Sequence, residues 1–505
     1  MKNILIAIRS IFKKGRHNVM KIVSLGIGLA VGLVLIAKVY FEQSYDDFYP
    51  DRDRVYQVWA KYQQNGGELK DYPQTSGGIA PTMQQQIPEI ETVTRYTSFG
   101  DWTFTMTDTK MKYSGRCIIA DSCFFDILPR PMLIGNAKEV LSTPMYVLIS
   151  SRIAKNIGGD VIGKNFTVDN SPGRTMTIGG VFEEVPENSH SRYDVIVSMA
   201  SAGRFMWEGS PTNMLGNDRY ISYVKLHKGV NPLALEEQVR TFVNSYFPPE
   251  EQQKVGLSID FSFHKLDNLH KELPQVKRMT WILSLLAFAL IFTAVMNYIL
   301  IVISSIVNRS KEVAVHKCYG ASENNIHGMM FGEALVHIVL SLILALLLIL
   351  AFRGTVEELL ATSLDSLLLS NGSLVLLGIC ILVFFVSGFM PGSLYARIPV
   401  ASAFRNYREN KRIWKKALLL VQFVATGFLV TMLVFVARQY TFMVNDRPGY
   451  AYENLAYCGL AGVDSTSRAK ILDEVMRLPG VAAATTVYQL PFEHASGNNI
   501  LLPGG

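Results

Sequence analysis

Apolar residues fall in five long runs, 22–41, 281–303, 326–352, 374–395 and 417–437, separated by polar stretches of very unequal length. A bilayer core about 30 Å thick is crossed by roughly 20 mostly apolar residues as helix, so each run predicts a membrane span. The first run is too long for the apolar core of a signal peptide and has no A-x-A site behind it, so it reads as an anchor that stays. The predicted organisation starts with a cytoplasmic amphipathic stretch over 1–21 and a first span over 22–41. A large polar segment over 42–277 and a second span over 278–305 follow, then a loop over 306–325 and a third span over 326–352. A short loop over 353–373, a fourth span over 374–395, a linker over 396–416, a fifth span over 417–437 and a polar stretch over 438–505 complete the chain.

Loop charges test this topology. Lys2, Arg9, Lys13, Lys14, Arg16 and Lys21 precede the first span, and Arg309, Lys311 and Lys317 lie between the second and third. Arg397, Arg405, Arg408, Lys411, Arg412, Lys415 and Lys416 lie between the fourth and fifth, whereas the loop between the third and fourth has Arg353 against Glu357, Glu358 and Asp365. With the N-terminus inside, every basic loop is cytoplasmic, as the positive-inside rule requires. The segment 42–277 is then extracytoplasmic. Ile4, Ile8, Ile11 and Phe12 share one helical face, so the N-terminal stretch either lies on the inner leaflet or runs on into the first span. Within the spans, Lys38 is placed to snorkel to the outer headgroups. Gly28 and Gly32 form a G-x-x-x-G step for close helix packing, including against another subunit, and Asn297 is expected to hydrogen-bond a neighbouring helix.

The segment 42–277 has β-type stretches at 54–60, 91–97, 102–106, 112–119, 145–149, 166–168, 175–182 and 220–226, with helical patches at 76–86 and 232–246. The fold class is therefore an α-helical bundle of five spans with a large inserted α+β extracytoplasmic domain. Composition agrees: a mean hydropathy of +0.21 with 18% charged residues excludes a disordered tail, a collagen-like fibre and an ordinary soluble enzyme. Five cysteines in 505 residues exclude a disulfide scaffold.

Catalytic chemistry is not legible. The string from Gly158 to Asn165 falls one residue short of a nucleotide-binding loop, because Asn165 stands where Mg²⁺ binding needs Ser or Thr; it reads as a turn before a strand. His190, His264 and His270 lack ligand spacing and read as surface residues. Cys117 and Cys123 lie outside, where a local bridge is conceivable and two free, partly buried thiols are the preferred reading, and Cys318 and Cys380 fall in other compartments. No enzyme activity, cofactor, metal or nucleic acid is expected.

A repeat is visible. A-I-R-S-I-F-K-K-G-R before the first span is echoed by A-S-A-F-R-N-Y-R from Ala401 before the fifth, and Ile87-Pro88-Glu89-Ile90 by Leu478-Pro479-Gly480-Val481. The stretch 438–505 thus reads as the start of a second outer domain, and the natural chain is expected to continue for about 250–300 residues with three more spans.

The most informative loop runs from Asn308 to Ser322. It is a charged helical segment ended by Gly320, which suits the left-handed position after a helix, with Ser322 able to cap the next. Its string K-E-V-A-V-H-K-x-x-G-A-S follows A-V-M-N-Y-I-L at 294–300 and precedes Phe331 and Glu333. This pattern resembles the FtsX/MacB-type ABC transporter permeases, in the long duplicated form common in Bacteroidetes-type bacteria. Tyr45-Asp46-Asp47-Phe48, Asp53-Arg54-Val55-Tyr56, Gly163-Lys164 and Ile178-Gly179-Gly180-Val181-Phe182 are similar to phrases of the MacB-type periplasmic core domain. Two departures are the lack of a fused nucleotide-binding domain and His316 at a position more often apolar or basic.

The resemblance implies a bacterial inner-membrane subunit that couples a separate ABC ATPase, in two copies, to movement of its outer domains. The implied docking surface is Arg309, Lys311, Glu312, Val313, Lys317, Gly320, Ala321 and Ser322, with Glu312 in ion pairs to the ATPase and Val313 as its apolar anchor. Implied roles are export of peptides, antibiotics or lipid-like substrates through a periplasmic adaptor and outer-membrane channel, or signalling to a cell-wall hydrolase or sensor kinase.

Overall fold

A computed structural model of the chain describes residues 17–168, 171–216, 219–369, 372–396, 413–445, 454–460, 463, 465–487 and 490. Residues 1–16 of the expected N-terminal helix and 397–412 of the linker therefore lie outside the described residues. Each apolar run folds into a helix longer than itself. They are α1 (Asn18–Gln43), α2 (Pro274–Ser304), then after a short helix α3 (Ile306–Cys318) the long α4 (Glu323–Ala351). Two short helices, α5 (Arg353–Leu360) and α6 (Leu364–Leu368), lead to α7 (Ser373–Ala396), and α8 (Ile413–Asn445) follows. The extensions arise because helix propagation continues through flanking residues once a turn is formed.

The bundle closes around α1. Its glycine face lets α2 approach so closely that a Cβ on Gly28 would fall 2.2 Å from the Ala294 Cβ, and one on Gly32 2.4 Å from Ile291 Cγ1. The partner of this step is thus a helix of the same chain. Against the next face of α1, a Cβ on Gly26 would meet Leu344 of α4 at 2.9 Å. Leu25, Leu29 and Leu33 fill the space between these helices with Ile299, Ile303, Ile326 and Ile338. Lipid tails are as apolar as leucine, so close packing and buried polar contacts hold such a bundle together, not water exclusion.

Those polar contacts are internal. Lys21, with no exposed surface, lies 3.6 Å from the Glu333 carboxylate and donates to Asn18 Oδ1 at 3.2 Å. Tyr298 and His337 Nδ1 are 3.1 Å apart, and Ser341 donates to the Ile22 carbonyl at 3.1 Å. The Gln422 amide of α8 donates to Asn297 Oδ1 of α2 at 3.2 Å, a contact that joins the fifth long helix to the bundle.

The inserted domain is one mixed sheet. Its strands are β1 (Val55–Gln64), β2 (Lys70–Tyr72), β3 (Ile90–Met106), β4 (Lys112–Ala120), β5 (Met132–Ile134) and β6 (Tyr146–Ser150). They continue with β7 (Asn165–Val168), β8 (Ser171–Phe182), β9 (Val195–Ser198), β10 (Ile221–Leu226) and β11 (Leu257–Lys265). The order is β11-β1-β10-β3-β4-β9-β6-β8-β5, with β2 on β1 and β7 bridging β3 and β8. Among the described residues only β4–β9 and β6–β8 pair in parallel. At one end the helices Ile79–Gln86 and Glu236–Tyr246 cover Val58, Val93 and Phe261 with Met83 and Phe242. At the other, Phe104, Phe166 and Ile178 pack on one face, and Phe124, Leu148 and Phe182 on the opposite face. The first and last long strands are antiparallel neighbours, with Tyr56 opposite Lys265, so the chain enters and leaves the domain side by side.

Two stretches expected as separate strands form the single β3. Gly100 takes φ +74°, which costs glycine no steric penalty, and the register with β4 shifts there without ending the strand.

Candidate functional site

Two places stand out among the described residues: the elbow after α2 and the joint where α1 meets the inserted domain. At the elbow, α2 passes into α3 with only Ser305 between them. Its end is built from the backbone outward. Gly320 has φ +86°, its N–H donates to the Lys317 carbonyl at 3.0 Å, and the Ala321 N–H donates to the His316 carbonyl at 3.0 Å. This is the paired hydrogen-bond pattern that closes a helix on a left-handed glycine. Two residues on, the Ser322 hydroxyl accepts the Asn325 N–H at 3.3 Å and starts α4. The turn is therefore hydrogen-bonded on both sides.

The elbow's side chains divide differently from the sequence expectation. Val313 is 1% exposed, packed in the bundle core with Ala314, Ile326 and Met330, so it is no surface anchor. Among the described side chains of this segment, Val315 and, one turn on, Tyr319 are large, apolar and exposed, at 44% and 89%. Lys311, His316, Cys318, Gly320 and Ser322 are exposed beside them, while Ala321 is half-buried. Glu312 and Lys317 are half-buried and already have partners within the chain, so neither is a spare charge. Arg309 lies in α3, and its side chain is outside the described residues. The helical period alone does not say which face of α3 is inside; packing against the rest of the bundle decides it.

At the joint, the chain leaving α1 is gripped by the loop 186–191. The Asn188 amide donates to the Ser44 carbonyl at 2.7 Å, and the Asp46 N–H donates to the Asn188 carbonyl at 2.9 Å. Asp46 is fully buried and has φ +58°, a left-handed conformation that Asp tolerates better than most residues. Its carboxylate accepts from Ser189 at 2.9 Å and meets His190 Nδ1 at 2.5 Å, while His190 Nε2 bonds to Tyr223 on β10. His270 Nε2 lies 2.6 Å from the Glu42 carboxylate, and its ring stacks on Tyr45 at 3.5 Å. His190 and His270 are therefore structural ligands of buried carboxylates rather than surface residues.

Burial of this joint shows in its phenols: desolvation first, then the Glu42 carboxylate, pushes Tyr45 up to about 12, and burial also raises Tyr49. Lys38 does not snorkel. It is 7% exposed, 2.7 Å from Glu42 and donating to Thr362 Oγ1 at 2.7 Å.

Among the described residues no group of His, Cys, Asp and Glu could hold a metal ion. Cys117 and Cys123 are free thiols, both raised above the ordinary thiol range by burial.

Residues 20–242 match the family model of the MacB-like periplasmic core domain, and residues 284–400 match the FtsX-like permease C-terminal domain. A domain of a Porphyromonas gingivalis protein described as a permease is 33% identical over 43% of this chain and 91% of its own, with a TM-score of 0.40. The periplasmic region of MacB from Actinobacillus actinomycetemcomitans is 16% identical over 41% of this chain and 87% of its own, with a TM-score of 0.27. No curated protein matches the sequence. With the core domain set between the first two membrane helices and the permease domain running through the elbow, the chain belongs to the FtsX/MacB-type permeases, membrane proteins with an ABC-transporter permease role.

Proposed function

We propose that this chain couples ATP hydrolysis by a separate ABC ATPase, bound in two copies at the elbow, to movement of its extracytoplasmic domain. The observation that carries this reading is continuity. Helix α2 begins at Pro274, directly below the joint, and its 31 residues reach the elbow without interruption. At 1.5 Å per residue that is about 46 Å, longer than the roughly 30 Å hydrocarbon core, so a push at one end moves the other. The polar side chains of the bundle favour motion over passage of a polar solute: Lys21, Glu333, Asn297, Gln422, Tyr298 and His337 face one another across helix contacts. Export of peptides, antibiotics or lipid-like molecules handled at the outer surface fits this arrangement.

The elbow and N-terminus are then cytoplasmic, in a bacterial inner membrane. Thiol labelling reads the orientation directly. Cys318 and Cys458 are exposed on opposite sides of the membrane in this reading, whereas Cys117 and Cys123 are shielded and hard to ionise. An impermeant maleimide added to cells with a permeable outer membrane should label Cys458 alone, and Cys318 only after the inner membrane is opened. Labelling of Cys318 in intact spheroplasts would reverse the topology.

The catalytic half of the reading has its own test. The full chain purified from native membranes should carry an ABC-type ATPase with it and show no hydrolysis once that subunit is stripped. ATP turnover by the chain alone would refute the assignment.

A further inference from the structure

The loop between α4 and α7 is not a free connection. Arg353 bridges Glu357 at 2.9 Å and Asp365 at 3.1 Å, and Glu357 accepts the Leu364 N–H at 2.8 Å, so α5 and α6 form one braced unit. Apolar packing of Leu367 on Ala37 and Phe41 of α1 seats that unit, and, among the described residues, two polar contacts tie it to other parts of the chain. Lys38, projecting from α1, donates to Thr362 and is held by Glu42, which His270 grips from the segment leading into α2. The Ser363 N–H donates to Glu187 at 3.0 Å, beside Asn188, whose contacts hold the α1 exit. The ammonium and carboxylate are almost fully buried, where removing one member of a pair leaves the other uncompensated. Nothing in a plain surface loop requires this.

We infer that Lys38 is a positioning residue that fastens the α5–α6 loop, the end of α1 and the entrance to α2 into one rigid block with the extracytoplasmic domain. The pair α4 and α7 then cannot shift at its outer end without carrying the domain. As a part of the transmission proposed above this rests on that reading; the fastening itself does not, and it is measurable without any ATPase.

The experiment is amide hydrogen exchange on the full chain in nanodiscs, for wild type, Lys38→Met, Lys38→Arg and Thr362→Val. Lys38→Met should speed exchange about tenfold in peptides covering 357–369 and 185–191, as local opening does when its contacts are lost, with β6 unchanged. Lys38→Arg, which keeps the charge and the donors, should stay near wild type. Thr362→Val should loosen 357–369 alone, and it serves where Lys38→Met fails to insert. Unchanged exchange in both segments, equal acceleration in Lys38→Arg, or acceleration spread over β6 as well would each overturn the fastening. An uncoupled ATPase with these results intact would count against the functional reading and leave the fastening standing.

Discussion

Tyr319→Ala should weaken binding of the partner ATPase at least tenfold and remove most of its stimulated hydrolysis, with membrane insertion and melting temperature unchanged. The reasoning is that of an interface hot spot: a large exposed aromatic at the centre of the docking patch proposed above, flanked by apolar Val315 and rimmed by exposed Lys311, His316 and Ser322. Truncating such an anchor typically costs 2 kcal/mol or more, about thirtyfold in affinity. The contrast is Val313→Ala. Its side chain fills the bundle core, so it should lower stability by roughly 1–3 kcal/mol while the docking surface keeps its shape. Pull-down and nanodisc ATPase assays on both variants separate the two roles. Full coupling in Tyr319→Ala, or normal stability with lost coupling in Val313→Ala, would place the contact face on the other side of α3.

Gly28→Leu should be the most damaging single change in the membrane region. A Cβ there already overlaps Ala294, and an isobutyl group would force α1 and α2 apart along the contact that Leu25, Leu29 and Leu33 complete. Overpacking costs about 1–3 kcal/mol where neighbours can yield and more where backbone is in the way. The thermal midpoint in detergent should fall by many degrees, or the protein should fail to accumulate. Gly427→Leu, in α8, is the control: nothing lies within 4 Å of a Cβ at that position, so its midpoint should stay near wild type. Equal effects from the two would mean that α1 and α2 do not meet through this face.

The spans were legible because twenty consecutive apolar residues leave a chain no other home. The elbow was legible for a local reason as well: a glycine needing a left-handed backbone, followed by a serine that caps, shows in sequence. The inserted domain was read less completely. Strand β11 lies outside the expected strands although Leu257, Ile259, Phe261 and Phe263 alternate plainly with polar residues. Strands β2 and β5, three residues each, are too short to carry a period at all. The side-chain assignments failed where they depended on tertiary contact. Lys38 and Glu42 are four apart on one helix and pair as such positions do. That they are buried, and that Thr362 and His270 arrive from more than two hundred residues away, no local pattern announces.

The adjacency of β1 and β11 has a wider meaning. A lobe whose first and last strands are zipped together occupies no more of the membrane's rim than a single hairpin would. Evolution can then enlarge, trim or replace the lobe without redesigning the helices that lie beneath.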